Sequence, residues 1–345
     1  MFLGIEIGGT KLQLGVGDGE RAELVAWERL DIDAKRGAVG ILEQIERAAG
    51  GLVQRFPVAR IGIGFGGPVD TAAGRVTVSH QVDGWRDFEL AAWCRQTLGV
   101  PAVLGNDCDS AALAEARYGA GAGRQTLFYV TVGTGIGGGF VKQGALHGAG
   151  RPASAEIGHL RPGLHADRPD ATVESLASGL GIAEAAKMRL SGAVAVPFHG
   201  ETSGSRRRRS AVAEPTTAER WEEECRSDLL ERAGGDLENV TARLVGQAAA
   251  DGNQLAVEVL ARSCQVLGWA VAQMITLLAP EVVVVGGGVS LLGEELFFVP
   301  LRNAVRRYVF PPLAGSYEIV PAALGEWVVV HGAIALAAGT LESSL

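Results

Sequence analysis

Two stretches of the chain carry one pattern of apolar and polar positions. Phe2 to Gly17 (FLGIEIGGTKLQLGVG) is an apolar run, a glycine–threonine break and a second apolar run. Leu127 to Gly144 (LFYVTVGTGIGGGFVKQG) repeats that order about 125 residues later. Each predicts a strand–turn–strand hairpin, and the repetition predicts two related lobes. Two further apolar runs end on glycines, Arg60 to Asp70 (RIGIGFGGPVD) and Glu281 to Ser290 (EVVVVGGGVS). Helical patterns fill the intervals. Ala38 to Phe56 is amphipathic, Ser110 to Tyr118 is alanine-rich, Gln254 to Leu278 is apolar enough to be buried, and Trp327 to Leu341 closes the chain. Strands alternating with helices indicate an α/β fold with mixed sheets. Gly192 to Thr217 has no apolar period and reads as a surface loop or insertion.

Composition narrows the class. At 345 residues, 47% hydrophobic and 20% charged, the chain has room for two domains with their own cores. A net charge of −8 argues against a nucleic-acid partner, and the run Arg206 to Arg209 reads as a solvated loop. The four cysteines (Cys94, Cys108, Cys225, Cys264) have no CxxC spacing, which suits free thiols in a reducing compartment. No basic leader precedes the first strand, and the longest apolar stretch, near Leu267 to Pro280, is interrupted by Gln273 and too short for a bilayer. A cytoplasmic protein without membrane contact is expected.

The glycine clusters carry the chemistry. Gly62-x-Gly64-x-x-Gly67 and Gly133-x-Gly135-x-x-Gly138 formally match a dinucleotide fingerprint, but that motif needs a helix to start at once, and loop or strand follows both. Gly8-Gly9-Thr10-Lys11 instead occupies a strand-to-strand turn, where glycines let N–H groups converge on an anion and Thr10 and Lys11 add a hydroxyl and a charge. A plain hairpin is the competing reading. Gly133-Thr134-Gly135 is a second such turn, and the pair could grip one polyphosphate from both sides. Gly286-Gly287-Gly288 gives either close strand–helix packing or backbone space for a nucleoside. In LGNDCDSAALAEARYG, Asp107 falls at or near a helix N-terminus, as an N-cap or as a general base kept ionised by the helix end. Glu156-Ile157-Gly158-His159 and Glu174 offer two carboxylates and an imidazole to hydroxyl ligands, or only a surface turn.

Taken in order, GIEIGGTK, GIGFGGPVD, GWRDFEL, GNDCDSAALAE, VTVGTGIGGG, EIGH, ESLASG and VVVVGGGVS resemble the ROK family of sugar kinases and repressors, across nearly the whole chain. The resemblance implies a two-lobed actin-like ATPase (ribonuclease H-like) α/β fold with a central cleft. One lobe would comprise 1–118 completed by the helix 327–345, the other 119–326 with an insertion at 192–217. It implies an ATP-dependent hexose kinase, with the glucose 6-hydroxyl as first acceptor and fructose, mannose or an N-acetylated amino sugar as alternatives. A non-catalytic sugar-binding regulator on the same fold and an actin-like structural ATPase are the rivals. Carried over position by position, Gly9, Thr10 and Lys11 form the first phosphate loop, Thr134 and Gly135 the second, and Gly287 and Gly288 the nucleoside loop. Asp107 is the catalytic base. Asn106, Glu156, His159, Glu174 and Gln81 hold the sugar, with Gly67 on the sugar-side loop. ATP with Mg²⁺ is the implied nucleotide, and a homodimer the implied assembly. The chain departs from the family in three places. Glu6 replaces the aspartate of DIGGTK and is expected to orient hydrated Mg²⁺. Gln81 stands where asparagine usually precedes PGW. HLRPGLHADRPDATVE lacks the CxCGxxGC cysteines, so the usual structural zinc is not expected, although His159, His165 and Asp167 are metal-competent side chains. With the first strand starting at Phe2, the helix-turn-helix of the repressor branch is not expected.

Overall fold

The computed structural model describes residues 1–79, 81–148, 154–163, 168–192 and 217–342. The strands are β1 (Phe2–Ile7), β2 (Lys11–Gly17), β3 (Ala26–Asp31), β4 (Arg60–Phe65), β5 (Val69–Asp70), β6 (Arg75–Val76), β7 (Ala102–Asn106), β8 (Thr126–Val132), β9 (Ile136–Lys142), β10 (Ala145–Leu146), β11 (Val282–Gly286) and β12 (Glu318–Pro321). The α-helices are α1 (Gly37–Arg55), α2 (Leu90–Leu98), α3 (Asp107–Tyr118), α4 (Val173–Ala177), α5 (Gly179–Leu190), α6 (Thr217–Arg232), α7 (Ala242–Ala250), α8 (Gln254–Leu278), α9 (Val299–Tyr308) and α10 (Val328–Glu342).

The sequence repeat is a repeat of topology. The first sheet runs β3-β2-β1-β4-β7 and the second β10-β9-β8-β11-β12. In each, a hairpin and an edge strand are antiparallel, the hairpin's first strand pairs in parallel with one later strand, and that strand pairs in parallel with a further one. β1 and β8 are buried because they are central, and this explains their nearly continuous apolar runs. The one helix among the described residues long and apolar enough to cross a membrane is α8, and 67% of its apolar window is buried inside the protein. It is a core helix of the second lobe, packed with α9, α4 and α7.

Two helices lie between the sheets. α10 packs across β1, β4 and β2 of the first sheet, α3 packs on β8 and β9 of the second, and the two helices pack on each other. A third apolar cluster seals this middle layer with Ala111, Ala112, Ala114, Tyr129, Val284 and Val329. The approach is close because glycines face the helices. A methyl group at Gly62 would overlap the Ala333 backbone of α10, and one at Gly139 would stand 2.8 Å from the Cys108 carbonyl oxygen of α3. The glycine run of β9 is therefore a floor for α3 as well as the exit of a turn.

Candidate active site

Asp107 opens α3, and the residue before it caps the helix. Asn106 is extended, and its Oδ1 accepts from the N–H groups of Cys108 (2.7 Å) and Asp109 (3.2 Å). The N-cap reading of Asp107 is thereby corrected: a cap needs extended backbone, and Asn106 has it. Asn106 Nδ2 donates to Gly67 O at 3.2 Å, tying the loop after β4 to the helix.

Freed from capping, Asp107 points into the space between the elements. Its Oδ1 accepts from Cys108 N–H at 2.9 Å. A methyl at Gly66 would lie 3.5 Å from Asp107 Oδ2, 3.4 Å from Ile7 O and 3.7 Å from Gly8 Cα. The carboxylate and the first glycine turn thus sit on either side of Gly66. Burial pushes the Asp107 carboxyl above its ordinary range, and the bond from Cys108 N–H pulls the other way. Glu156 is also raised by burial, opposed by the nearby His159 charge and reinforced by Asp107 and Glu174. Partial burial, with the Glu156 and Asp107 charges, raises Asp109 to about 7. So the structure gathers Asp107, Glu156, His159 and Glu174 into one electrostatically coupled group. Glu156 and His159 flank a 3₁₀ turn, Ile157–His159, with His159 exposed.

Both glycine–threonine turns present their threonines, Thr10 and Thr134, to solvent. The first is closed by Gly8 N–H donating to Lys11 O at 3.0 Å, and Gly9 lies directly under the Gln81 side chain. The second is closed by Gly133 N–H donating to Gly135 O at 2.9 Å. Glu174 braces it: Oε2 accepts from Ile136 N–H at 2.8 Å, beside Gly135. At the third glycine cluster the two readings divide by residue. Gly286 packs on Tyr129. Gly287, at φ +89°, presses on the Val132 backbone where β8 enters the second turn. Gly288 faces open space.

Lys11 Nζ pairs with Glu6 Oε1 at 3.1 Å and donates to Gln13 Oε1 at 2.8 Å. Glu326, just before α10, stands 3.9 Å from Lys11 and 3.3 Å from Arg29. Burial raises Glu6 to about 7 against the pull of Lys11, and the Asp107 charge adds to that rise. Sequence reasoning missed Gln13 and Glu326. A polar residue two positions after Lys11 on an apolar strand was a signal for Gln13, since alternate residues share a face. Nothing local marked Glu326, which only the fold brings to Lys11. His165 and Asp167 lie outside the described residues. Among the described residues no group of three or more His, Cys, Asp or Glu side chains is placed to hold a metal ion.

Two sheets of one topology packed on either side of α10 and α3, each with a glycine turn closing its hairpin, and the carboxylate at the head of α3 beside the first of those turns, define a two-lobed protein of the actin-like ATPase fold. The chain belongs to the ROK family, whose family model matches residues 2–340. It is 29% identical over 344 residues to a glucokinase of Thermotoga maritima, covering 97% of this chain and 96% of that one. Among solved structures it resembles a ROK family glucokinase of Streptomyces griseus in complex with glucose and AMPPNP (TM-score 0.74, 28% identity, 98% and 99% of the two chains). It also resembles a ROK hexokinase of Thermus thermophilus (TM-score 0.75, 26% identity, 99% of each).

Proposed function

We propose that the chain is an ATP-dependent hexose kinase that transfers the γ-phosphoryl group to glucose O6. One observation carries the reading: Asp107 stands half-buried at the head of α3, within a few ångströms of the first glycine turn and within electrostatic reach of Glu156 in the Glu156–His159 turn. In this reading the lobes are 1–118 with 327–345, and 119–326. Thr10, Gly9 and Lys11 from one side and Thr134 and Gly135 from the other bind the phosphates, and Gly287 and Gly288 border the nucleoside. Glu156, His159, Glu174, Asn106 and Gln81 hold the sugar, with Gly67 on the sugar-side loop. Asp107 accepts the O6 proton as that oxygen attacks phosphorus and the bridging oxygen leaves with ADP. Position and charge do most of the work in such a transfer. The raised Asp107 pKa suits a base that works near neutral pH.

Glu6 fits the role of holding Mg²⁺ through water, because its Oε2 is buried without a hydrogen-bond partner. The ion, when bound, supplies positive charge against the phosphate oxygens. Lys11 and the turn N–H groups add fixed donors to the same end. A homodimer is the proposed assembly, to be read by light scattering.

The test is ADP release from Mg-ATP in a coupled assay across glucose, fructose, mannose, galactose, N-acetylglucosamine and N-acetylmannosamine, with Asp107→Asn alongside. Glucose should give the highest kcat/KM. Asp107→Asn should bind glucose normally and lose turnover by at least about 10²-fold, the lower range for a general base. Turnover retained in the variant removes Asp107 from the chemistry. Preference for another sugar would move the specificity and keep the kinase.

A further inference from the structure

The chain passes between the lobes twice. It leaves α3 and enters β8 through residues 119–125, and it returns from β12 to α10 through residues 322–327. One side chain holds both passages. Glu115, in the last turn of α3, has no exposed surface. Its Oε2 accepts from Ala120 N–H at 2.8 Å in the outward passage. Its Oε1 accepts from the N–H groups of Ala323 and Leu324, each at 2.9 Å, in the return passage. Its main-chain oxygen accepts from Gly119 (3.2 Å) and Gly121 (3.0 Å) N–H, which ends the helix at the same point. A methyl at Gly119 would collide with Glu115 Oε2, so glycine keeps the space the carboxylate occupies.

Burying a carboxylate is costly unless hydrogen bonds replace its water. Three main-chain donors do so here, and bonds to an ionised acceptor are the strong kind. The group lies two turns of α3 away from Asp107, so the cost does not serve ligand contact. It serves connection. Any rotation of one lobe against the other must move residue 120 relative to residues 323 and 324. With both passages on the two oxygens of one carboxylate, two separate links become a single axis.

We propose that Glu115 is the pin of the interlobe hinge and, through α3, a positioning residue for Asp107. The hinge follows from these hydrogen bonds, and only its catalytic consequence rests on the kinase reading. The lever is long: eight residues of helix separate Asp107 from Glu115, about 12 Å at 1.5 Å per residue. A rotation of about 10° about the pin moves the head of α3 by about 2 Å, enough to spoil an in-line geometry.

Glu115→Gln keeps the shape but turns an NH₂ toward at least one of the three donors, which releases one passage. Gly119→Ala attacks the same contact from outside with Glu115 intact. Spin labels at Val39→Cys, on α1 of the first lobe, and Leu277→Cys, on α8 of the second, report the interlobe distance; both positions are exposed. The expected result is one narrow distance in the parent protein that shifts with glucose plus a non-hydrolysable ATP analogue. Both variants should broaden it with and without ligand. In both, kcat falls at least about tenfold while the KM values for glucose and ATP stay within about threefold, since no ligand contact is lost. Parent-like distances and kcat in both variants overturn the proposal. If neither variant folds, amide exchange in the parent decides: Ala120, Ala323 and Leu324 must be protected, and exchange at the rate of exposed loops overturns the pin. A parent protein that turns over no sugar, yet whose narrow distance broadens in the variants, sinks the kinase reading and leaves the hinge standing.

Discussion

Gly332 is the point at which α10 crosses α3, and Gly332→Ala tests whether that crossing sets the catalytic carboxylate. The added carbon would overlap the Ser110 carbonyl oxygen and stand 2.9 Å from Ser110 Cα. Unstrained carbons keep about 3.5–4.0 Å, so the helices must part by roughly 1 Å. Ser110 cannot yield by rotating a side chain, because the clash is with its backbone. It is also fixed from the other side, buried against Gly64 and Gly105 of the first sheet, with its hydroxyl donating to Asn106 O at 2.8 Å. The displaced turn carries Asp107. In stability the two physical terms have opposite signs. Helix propensity favours alanine over glycine by about 1 kcal/mol, whereas overpacking costs about 1–3 kcal/mol or more. A net loss therefore isolates the clash. In rate, a displacement of about 1 Å at the base is worth on the order of 10²-fold in kcat. The control is Gly51→Ala in α1, a helical glycine with nothing within 4 Å of an added methyl, which should stabilise by about 0.5–1 kcal/mol. Urea unfolding and steady-state kinetics on both variants give the comparison. Gly332→Ala that is as stable as Gly51→Ala, with parental kcat, would refute both the tightness of this contact and its hold on Asp107.

Three further outcomes follow from the site. Glu6 titrates near 7 when folded and near 4.5 unfolded, so its contribution to stability is fully present below about pH 4.5 and is lost as pH rises through 7, by at most roughly 3.5 kcal/mol. The ligand-free protein should lose more stability between pH 5 and 8 than Glu6→Gln does, and parallel pH profiles in urea unfolding exclude it. Because burial raises Asp107, the acid limb of the kcat pH profile should lie above the ordinary aspartate value of about 3.9, and a limb at or below that value removes Asp107 as the titrating base. Glu174→Ala frees the second turn from its brace at Ile136 N–H; losing a hydrogen bond to a charged group is worth about 1.5–3 kcal/mol, so the ATP KM should rise at least about tenfold, and an unchanged KM shows that the turn holds its shape alone.

What the sequence discloses and what it hides divide along one physical line. Apolar periodicity is local, so the hairpins, the buried helix Gln254–Leu278 and the repeated lobe pattern are legible from the order of residues alone. The turns are legible for the same reason, as breaks within runs. Hidden features are those in which distant residues share one space. The start of α3 at Asp107 is legible in LGNDCDSAALAE, but the choice of Asn106 over Asp107 as its cap is not, because it rests on which residue keeps extended backbone. GIGGG reads as a phosphate turn and exit strand, but Gly137 and Gly139 are spent on the approach of α3.

A glycine in a strand weakens the strand, and a face carrying Gly4, Gly62 and Gly64 on neighbouring strands of the first sheet would be a poor sheet in isolation. It is tolerated because α10 fills the face, with its backbone at Val330 and Ala333 against Gly4 and Gly62 and the Val329 side chain against Gly64. Close backbone packing of this kind has few side chains that can rearrange, so the helix and the sheet move as one body. The same holds for α3 on Gly137 and Gly139. The same close backbone contact joins α10 to α3 at their crossing, where Gly332 meets Ser110, so the two helices form one stiff layer between the sheets. Asp107 stands at one end of that crossing and Glu115 at the other, so a single helix both carries the carboxylate and is held at the axis about which it turns.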